Sequence, residues 1–204
     1  MRKELIFLTL GIFLIGFVFA SGNGMNEDGS VRGSLNVGDN GGHVEVEARE
    51  RVMNGNYTTE NGERLEIREQ SKERTSLMVG NCTANCDCNL TEEQFENRTR
   101  IGMELSNGRN AEIKIMPDTA SETAIARLRI KACSKENNCS IELREIGSGN
   151  QTRAMYEIKA EKESKVFGLF RAKMKVQSDV DAENGEVIRT QKPWWAFLAT
   201  ESEE

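Results

Sequence analysis

The alternation of apolar and polar residues over much of the chain predicts short β-strands. Val44–Ala48 and Leu65–Arg68 both alternate with a period of two, which is typical of half-buried strands. Asn-Gly pairs, the dipeptide that most favours a hairpin turn, occur at Asn54, Asn61, Asn107 and Asn184. Further strands are predicted at residues 76–79, 100–105, 111–116, 140–146, 154–160, 172–180 and 186–189. Residues 43–116 are therefore predicted to form an antiparallel β unit with Glu and Arg on its wet face.

One segment after Pro117 has helical spacing instead. Apolar residues recur at intervals of three and four up to Ala132, and Thr119 with Glu122 fits a capping box. We predict a helix over 118–133 and one short turn at Thr91–Glu96. The predicted fold class is α+β, mostly antiparallel β: an N-terminal sheet unit, then one helix packed on a curled antiparallel meander.

Residues 117–190 resemble PepSY domains. Ser121–Ala126 is similar to the opening helix of that family, Ala154–Ala160 to one of its strands, and Val180–Ile188 to its closing hairpin. The segments LSNGRNAEIKIMPDTAS and KPWWAFLA are similar to those of uncharacterised exported archaeal proteins. The resemblance implies a small exported α/β domain that restrains a peptidase. Because no peptidase sequence follows in this chain, we expect such action in trans.

The N-terminus predicts export. Arg2 and Lys3 precede an apolar run from Leu5 to Phe19, and small residues surround the boundary at Ala20. This pattern is that of a signal peptide over residues 1–20, since a membrane span needs about 20 apolar residues. Residues 21–42 are rich in glycine and predict a flexible tether. We expect a secreted or cell-surface protein, which is membrane-tethered if the signal is not cleaved.

Composition excludes some functions. Lys and Arg number 27 against 33 Asp and Glu, giving a net charge of -6, whereas nucleic-acid binding depends on excess basic groups. The single histidine, His43, follows two glycines, a poor place for a positioned base. We therefore predict no catalytic residue, no enzymatic activity and no cofactor.

The five cysteines fall into two groups. Cys133 and Cys139 are predicted to form a disulfide in an exported chain. Cys82, Cys86 and Cys88, placed by their polar surroundings in an irregular loop, allow two readings. One is a local disulfide that involves Cys82, with one thiol left free or paired between chains; the other is a soft-metal site for an ion such as Cu(I).

Six N-x-[ST] sequons indicate solvent-facing segments, whether they carry glycans or only polar surface. These glycosylation candidates are Asn56, Asn81, Asn89, Asn97, Asn138 and Asn150.

Residues 191–204 form an aromatic C-terminal segment with an acidic tail. Partner-binding candidates there and in a second apolar cluster are Trp194, Trp195, Phe197, Phe167 and Phe170. The terminal segment either folds back to cap the meander or anchors the protein in a partner groove or at a bilayer interface.

Together these features predict a non-enzymatic cell-surface module that binds another protein, such as a peptidase or other envelope protein. The alternatives are a structural envelope protein without a regulatory target and an extracellular soft-metal binder built on the 82–88 cysteines. Exposed strand edges favour capture of an extended peptide, and full glycan coverage of the sheet faces favours the structural role. The oligomeric state stays open.

Overall fold

Two β-sheets and one α-helix form the described part of the protein, so the fold is α+β with mainly antiparallel sheets, as predicted. The computed structural model describes residues 49–71, 74–95 and 98–201, which belong to one compact unit. The strands are β1 (Glu50–Arg51), β2 (Gly55–Thr58), β3 (Arg64–Ser71), β4 (Arg74–Val79), β5 (Cys82–Cys86), β6 (Leu90–Phe95), β7 (Arg98–Glu104), β8 (Asn110–Ile113), β9 (Ser140–Ile146), β10 (Arg153–Val166), β11 (Phe170–Asp181), β12 (Val187–Gln191) and β13 (Ala199–Glu201). The helix α1 is Pro117–Leu128, and short 3-10 turns lie at Lys135–Asn137, Gly149–Gln151 and Trp194–Leu198.

The larger sheet has the strand order β12-β11-β10-β9-β5-β4-β3-β2, with β13 beside the outer part of β10. The smaller sheet has the order β1-β6-β7-β8. The hairpin predicted around Asn107-Gly108 is present as β7 and β8, and Gly108 takes the positive φ of 77° that its turn requires. The predicted strand at 44–48 lies outside the described residues.

A parallel pair of strands joins the two halves of the chain. Ala84 of β5 lies in register with Ile141 of β9, and Cys86 lies in register with Leu143. The predicted boundary between residues 116 and 117 therefore does not separate two sheets, because the larger sheet continues across it. The alternating pattern of each strand shows which face is buried, but it does not show which strand lies next to it.

One face of the larger sheet packs against the smaller sheet and α1. Tyr156 and Ile158 from β10 are fully buried there with Ile101 of the smaller sheet and Ala120 of the helix. Full burial of such an aliphatic side chain contributes about 1.5–3 kcal/mol. The Tyr156 hydroxyl donates a hydrogen bond of 2.8 Å to the carbonyl oxygen of Ile115, which ties the sheet to the segment that leads into α1.

The helix differs from its prediction at both ends. It begins at Pro117 with Met116 as N-cap and no side-chain capping bond, so the capping box predicted at Thr119 was wrong. Pro suits the first helical position because the N–H it lacks has no partner there. The helix ends at Leu128, not at residue 133, because Arg129 adopts a left-handed conformation with φ 54°.

Three local predictions in the N-terminal half were wrong. Residues 91–95 do not form the predicted helical turn, since Leu90–Phe95 is a strand between β1 and β7; residue 96 lies outside the described residues. Residues 82–86 are the strand β5 rather than irregular loop. Gly55 does not turn a hairpin but begins β2. In each case a neighbouring strand supplies hydrogen-bond partners that the local sequence does not reveal.

Candidate binding site on the outer β10–β11 hairpin

A long hairpin formed by β10 and β11 projects beyond the rest of the larger sheet. The two strands pair from Met155 opposite Asp181 to Val166 opposite Phe170. On one side, β9 covers β10 only as far as Lys159; on the other side, β12 covers β11 only from Gln177 inward. The outer half of the hairpin therefore lacks the neighbours that flank its base.

The edge of β11 is open because β12 stops early. After Gln191, the chain leaves the sheet at Lys192 and Pro193. Proline has no N–H group and does not continue a ladder of hydrogen bonds. Over Arg171–Val176, β11 has no partner strand on its second side within the described ranges. We call these six residues the open edge.

The C-terminal segment folds back over the hairpin. Trp195 packs against a buried cluster that includes Leu128 of α1 and Met174 of β11. The chain then forms β13, which pairs with β10 at Ser164–Val166. The capping arrangement is thus present for Trp195, whereas Trp194 is 80 % exposed and Phe197 is 76 % exposed.

The two aromatic segments predicted separately lie at the same end of the molecule. The backbone N–H of Phe167, in the turn of the hairpin, donates a hydrogen bond of 2.9 Å to the carbonyl oxygen of Leu198. Phe170 is also exposed, and so is Leu169, at 79 %, a residue that sequence reasoning did not select. We call this surface the apolar tip; its members are Phe167, Leu169, Phe170 and Phe197, the neighbour of Leu198.

Basic side chains follow the apolar tip along one face of the hairpin. Arg171, Lys173 and Lys175 alternate along β11 and are all exposed. Lys165 lies directly opposite Arg171 in the register, and neither forms an ion pair with a side chain that the structure describes. Lys173 lies 4.0 Å from a carboxylate oxygen of Glu161. Glu161 and Glu163 of β10 lie opposite Lys175 and Lys173, so the excess of positive charge on this face comes from Lys165 and Arg171.

Farther inward on the same face, buried carboxylates are paired with bases. Glu157 contacts Arg144 at 3.0 Å and Lys159 at 2.5 Å. Burial alone would raise the pKa of Glu157, but the hydrogen bond and charge of Lys159, together with Arg144, outweigh it and lower that pKa. Asp179 opposite it is fully buried and contacts Arg189 at 2.7 Å. The sequence analysis did not single out Glu157 or Asp179. In the structure both acids are paired with bases, and these ion pairs are structural.

Asp181 fixes the turn that follows β11. Its Oδ1 accepts hydrogen bonds from the backbone N–H groups of Glu183 at 2.9 Å and Asn184 at 3.3 Å. Its other oxygen accepts a bond of 3.1 Å from Arg153. The hairpin predicted at Asn184-Gly185 is present, with β12 leaving this turn toward the base of the open edge.

Two cysteine pairs lie at disulfide distance. Cys133 and Cys139 have Cα atoms 5.1 Å apart, and this is the pairing predicted from the sequence. The second pair is Cys86 with Cys88, at 5.2 Å. A local disulfide with one thiol left free was predicted for this group, and the structure has that arrangement; the predicted participation of Cys82 was wrong, because Cys82 is the free cysteine. Burial raises the pKa of its thiol.

The soft-metal alternative needs Cys86 and Cys88 in their reduced form. Among the described residues there is no group of three His, Cys, Asp or Glu side chains placed to hold a metal ion. His43 lies outside the described residues. Two disulfides are compatible with an extracellular location, and no helix among the described residues is long and apolar enough to cross a membrane.

The sequon asparagines within the described ranges are all exposed: Asn56, Asn81, Asn89, Asn138 and Asn150. Asn97 lies outside the described residues. None of the six belongs to the outer hairpin or to residues 191–201. Asn138, however, donates a hydrogen bond of 2.8 Å to Glu161, which lies opposite Lys175, so a glycan at Asn138 would lie beside the outer hairpin. Glycosylation itself stays a prediction.

Comparisons of the chain with protein-family models, with curated proteins and with solved structures find no match.

Proposed function

We propose that this chain is a non-catalytic, exported binding module that captures an extended, acidic segment of another protein along the open edge of β11. This proposal rests on one observation: β11 continues past the end of β12 for six residues, Arg171–Val176, without a strand beside it. A strand added beside these six residues would lie in line with β12.

The dimensions of the open edge suit a short peptide strand. Six residues of β-strand extend over about 20 Å. Backbone N–H and C=O groups that point away from β10 offer hydrogen bonds to an extended segment, which is the basis of recognition by strand addition. Since backbone groups give affinity without reading sequence, the flanking side chains must provide the selectivity.

The charge of the open edge favours an acidic segment. Arg171, Lys173 and Lys175 project from one face of β11. Glu163 and Glu161 of β10 lie opposite the two lysines, and carboxylates of an added strand would approach all three bases from the other side. The same bases discourage pairing with another copy of this edge, a recognised means of protecting edge strands from self-association. The open edge therefore offers unpaired backbone hydrogen-bonding groups, and its positive charge selects an acidic partner segment.

A peptidase held in trans is the partner class suggested by the resemblance of residues 117–190 to PepSY domains. Restraint of such an enzyme would follow from capture of a segment near its substrate cleft. Export, predicted from the N-terminal sequence and compatible with the two disulfides, would place the module where cell-surface enzymes act.

Site-specific photo-crosslinking tests this proposal with the full chain. A photoreactive residue replaces Lys173 on the open edge, and proteins of the native surface fraction serve as the probe. The matched control replaces Lys159 on the same face of the hairpin, where β9 and β11 flank the position on both sides. We expect a partner to be linked through an acidic segment at position 173 and not at position 159. No product at position 173, or the same product from both positions, would contradict the proposal.

A further inference from the structure

The apolar tip has a different shape and chemistry from the open edge. Phe167, Leu169 and Phe170 occupy the end of a projecting hairpin, and Phe197, next to Leu198, extends the same surface. Large apolar side chains exposed together mark an interaction site, whereas isolated ones do not. Because the tip projects beyond the rest of the larger sheet, its aromatic side chains can insert into a deformable surface.

Two basic residues lie next to the tip. Lys165 and Arg171 lie opposite each other in the last pairs of the hairpin, and no described carboxylate pairs with either. Like charges directly opposite on neighbouring strands are destabilising. A negatively charged surface would relieve their repulsion. The two bases lie together at this end although the net charge of the chain is -6.

We propose that the apolar tip docks the protein on the surface of an anionic lipid bilayer. The exposed aromatic side chains enter the interfacial region, where Trp is favoured. Lys165 and Arg171 contact the lipid phosphates, while their aliphatic stems lie along apolar surface. The backbone hydrogen bond between Phe167 and Leu198 holds the two parts of the tip together during docking.

This inference does not depend on capture of a protein segment at the open edge. Docking through the tip leaves Lys173 and Lys175 farther from the lipid surface, on the strand that leads back to the sheet. A protein held at the open edge would then be presented close to the membrane.

A tryptophan placed at the tip provides a local reporter for the test. The chain contains only two, Trp194 and Trp195, so Phe167→Trp in a Trp194→Phe, Trp195→Phe background puts the single fluorophore in the turn of the hairpin. The full chain is mixed with vesicles of phosphatidylglycerol and phosphatidylcholine, and separately with vesicles of phosphatidylcholine alone. Lipids with brominated acyl chains quench a tryptophan that enters the bilayer.

We expect the emission of the tryptophan at position 167 to shift to the blue and to be quenched on anionic vesicles, with much weaker effects on phosphatidylcholine. Lys165→Glu with Arg171→Glu should weaken this response by about tenfold or more, since each base near an anionic surface contributes measurably to binding. The control Arg64→Glu with Arg127→Glu changes the net charge equally at two exposed positions of β3 and α1, and it should retain the response.

A second pair of variants tests the apolar contribution. Leu169→Ser with Phe170→Ser should abolish quenching, whereas Met53→Ser, which alters a side chain that is 69 % exposed at a position outside the tip, should not. Circular dichroism and thermal unfolding establish that each variant is folded. An unshifted emission on anionic vesicles, or equal responses from the tip variants and their controls, would overturn the proposal. A blue shift seen only with a surface protein would assign the tip to a protein partner and would equally overturn it.

Discussion

Phe167 and Leu198 are joined by a backbone hydrogen bond of 2.9 Å, from the N–H of the former to the carbonyl oxygen of the latter. This bond connects the turn of the β10–β11 hairpin to the segment that returns from β12. Around it, β13 pairs with β10, and Trp195 packs on the buried cluster beneath. The two adjacent tryptophans consequently have opposite environments, which leads to the first prediction.

Trp195→Ala should lower the free energy of unfolding by about 2 kcal/mol, less than the 3–5 kcal/mol typical of a fully buried aromatic because the site is partly exposed. Trp194→Ala should change it by about 0.5 kcal/mol or less, as is usual at exposed positions. Chemical denaturation monitored by far-UV circular dichroism measures both. Equal losses from the two variants would show that the C-terminal segment does not pack through Trp195.

Tyr156→Phe should destabilise the protein by about 1–2 kcal/mol, because it removes the hydroxyl donor to the Ile115 carbonyl at a fully buried position. The matched control is Tyr57→Phe, which removes a hydroxyl that donates to Met53 at 2.7 Å in an exposed setting. Its effect should be under about 0.5 kcal/mol, since water replaces the lost partner. Urea unfolding at neutral pH compares the two, and a larger loss from Tyr57→Phe would contradict this account.

The pairing of Glu157 predicts a stability contribution that depends on pH. The pKa of Glu157 is lowered from its ordinary value of 4.5 in the folded protein. The ionised, paired carboxylate therefore stabilises the fold above that value, and the contribution is lost as the pH falls through the lowered pKa. The difference in unfolding free energy between the parent and Glu157→Gln should be about 1–2 kcal/mol near neutrality and should shrink in acid.

Glu66→Gln supplies the control for that pH series. Glu66 pairs with Arg68 at 2.6 Å on the surface of β3, and exposed pairs contribute little. Its difference from the parent should stay small from neutral pH into acid. A Glu157→Gln difference that grows on acidification would reverse the sign expected from the lowered pKa.

The cysteine pairing predicts one reactive thiol in the unreduced protein. Alkylation in denaturant followed by peptide mass spectrometry should modify Cys82 alone, since Cys86 is joined to Cys88 and Cys133 to Cys139. In the native protein the same thiol should react slowly, because it is half-buried and its pKa is raised by burial. Modification at Cys88 instead would mean that the local disulfide uses Cys82.

Local signals in the sequence predicted the hairpins and the position of the single helix. Asn107-Gly108 and Asn184-Gly185 combine turn residues with flanking alternation, and both mark real hairpins. The end of the helix was not predictable in this way, because Arg129 leaves it through a left-handed conformation. A side chain from a distant strand, Lys162, donates to the Leu128 carbonyl at that end.

Contacts between distant parts of the chain account for the rest. The parallel pairing of β5 with β9 and the meeting of Phe167 with Leu198 depend on which elements become neighbours, and alternation does not specify neighbours. The same limit applied to the candidate site. The exposed aromatic residues stand out individually in the sequence. The open edge, by contrast, depends on where β12 ends, at Gln191, and the sequence of β11 does not specify that end.

The junction of β5 with β9 also affects how the protein is made. β5 acquires its neighbour β9 only after Ile146 has been synthesised, since Ala84 and Cys86 pair with Ile141 and Leu143. A ribosome that stalls earlier, or a protease that cuts between the two strands, would release a fragment in which one edge of β5 is unpaired. We expect such fragments to aggregate, which makes the chain dependent on uninterrupted synthesis or on a chaperone until β9 has emerged.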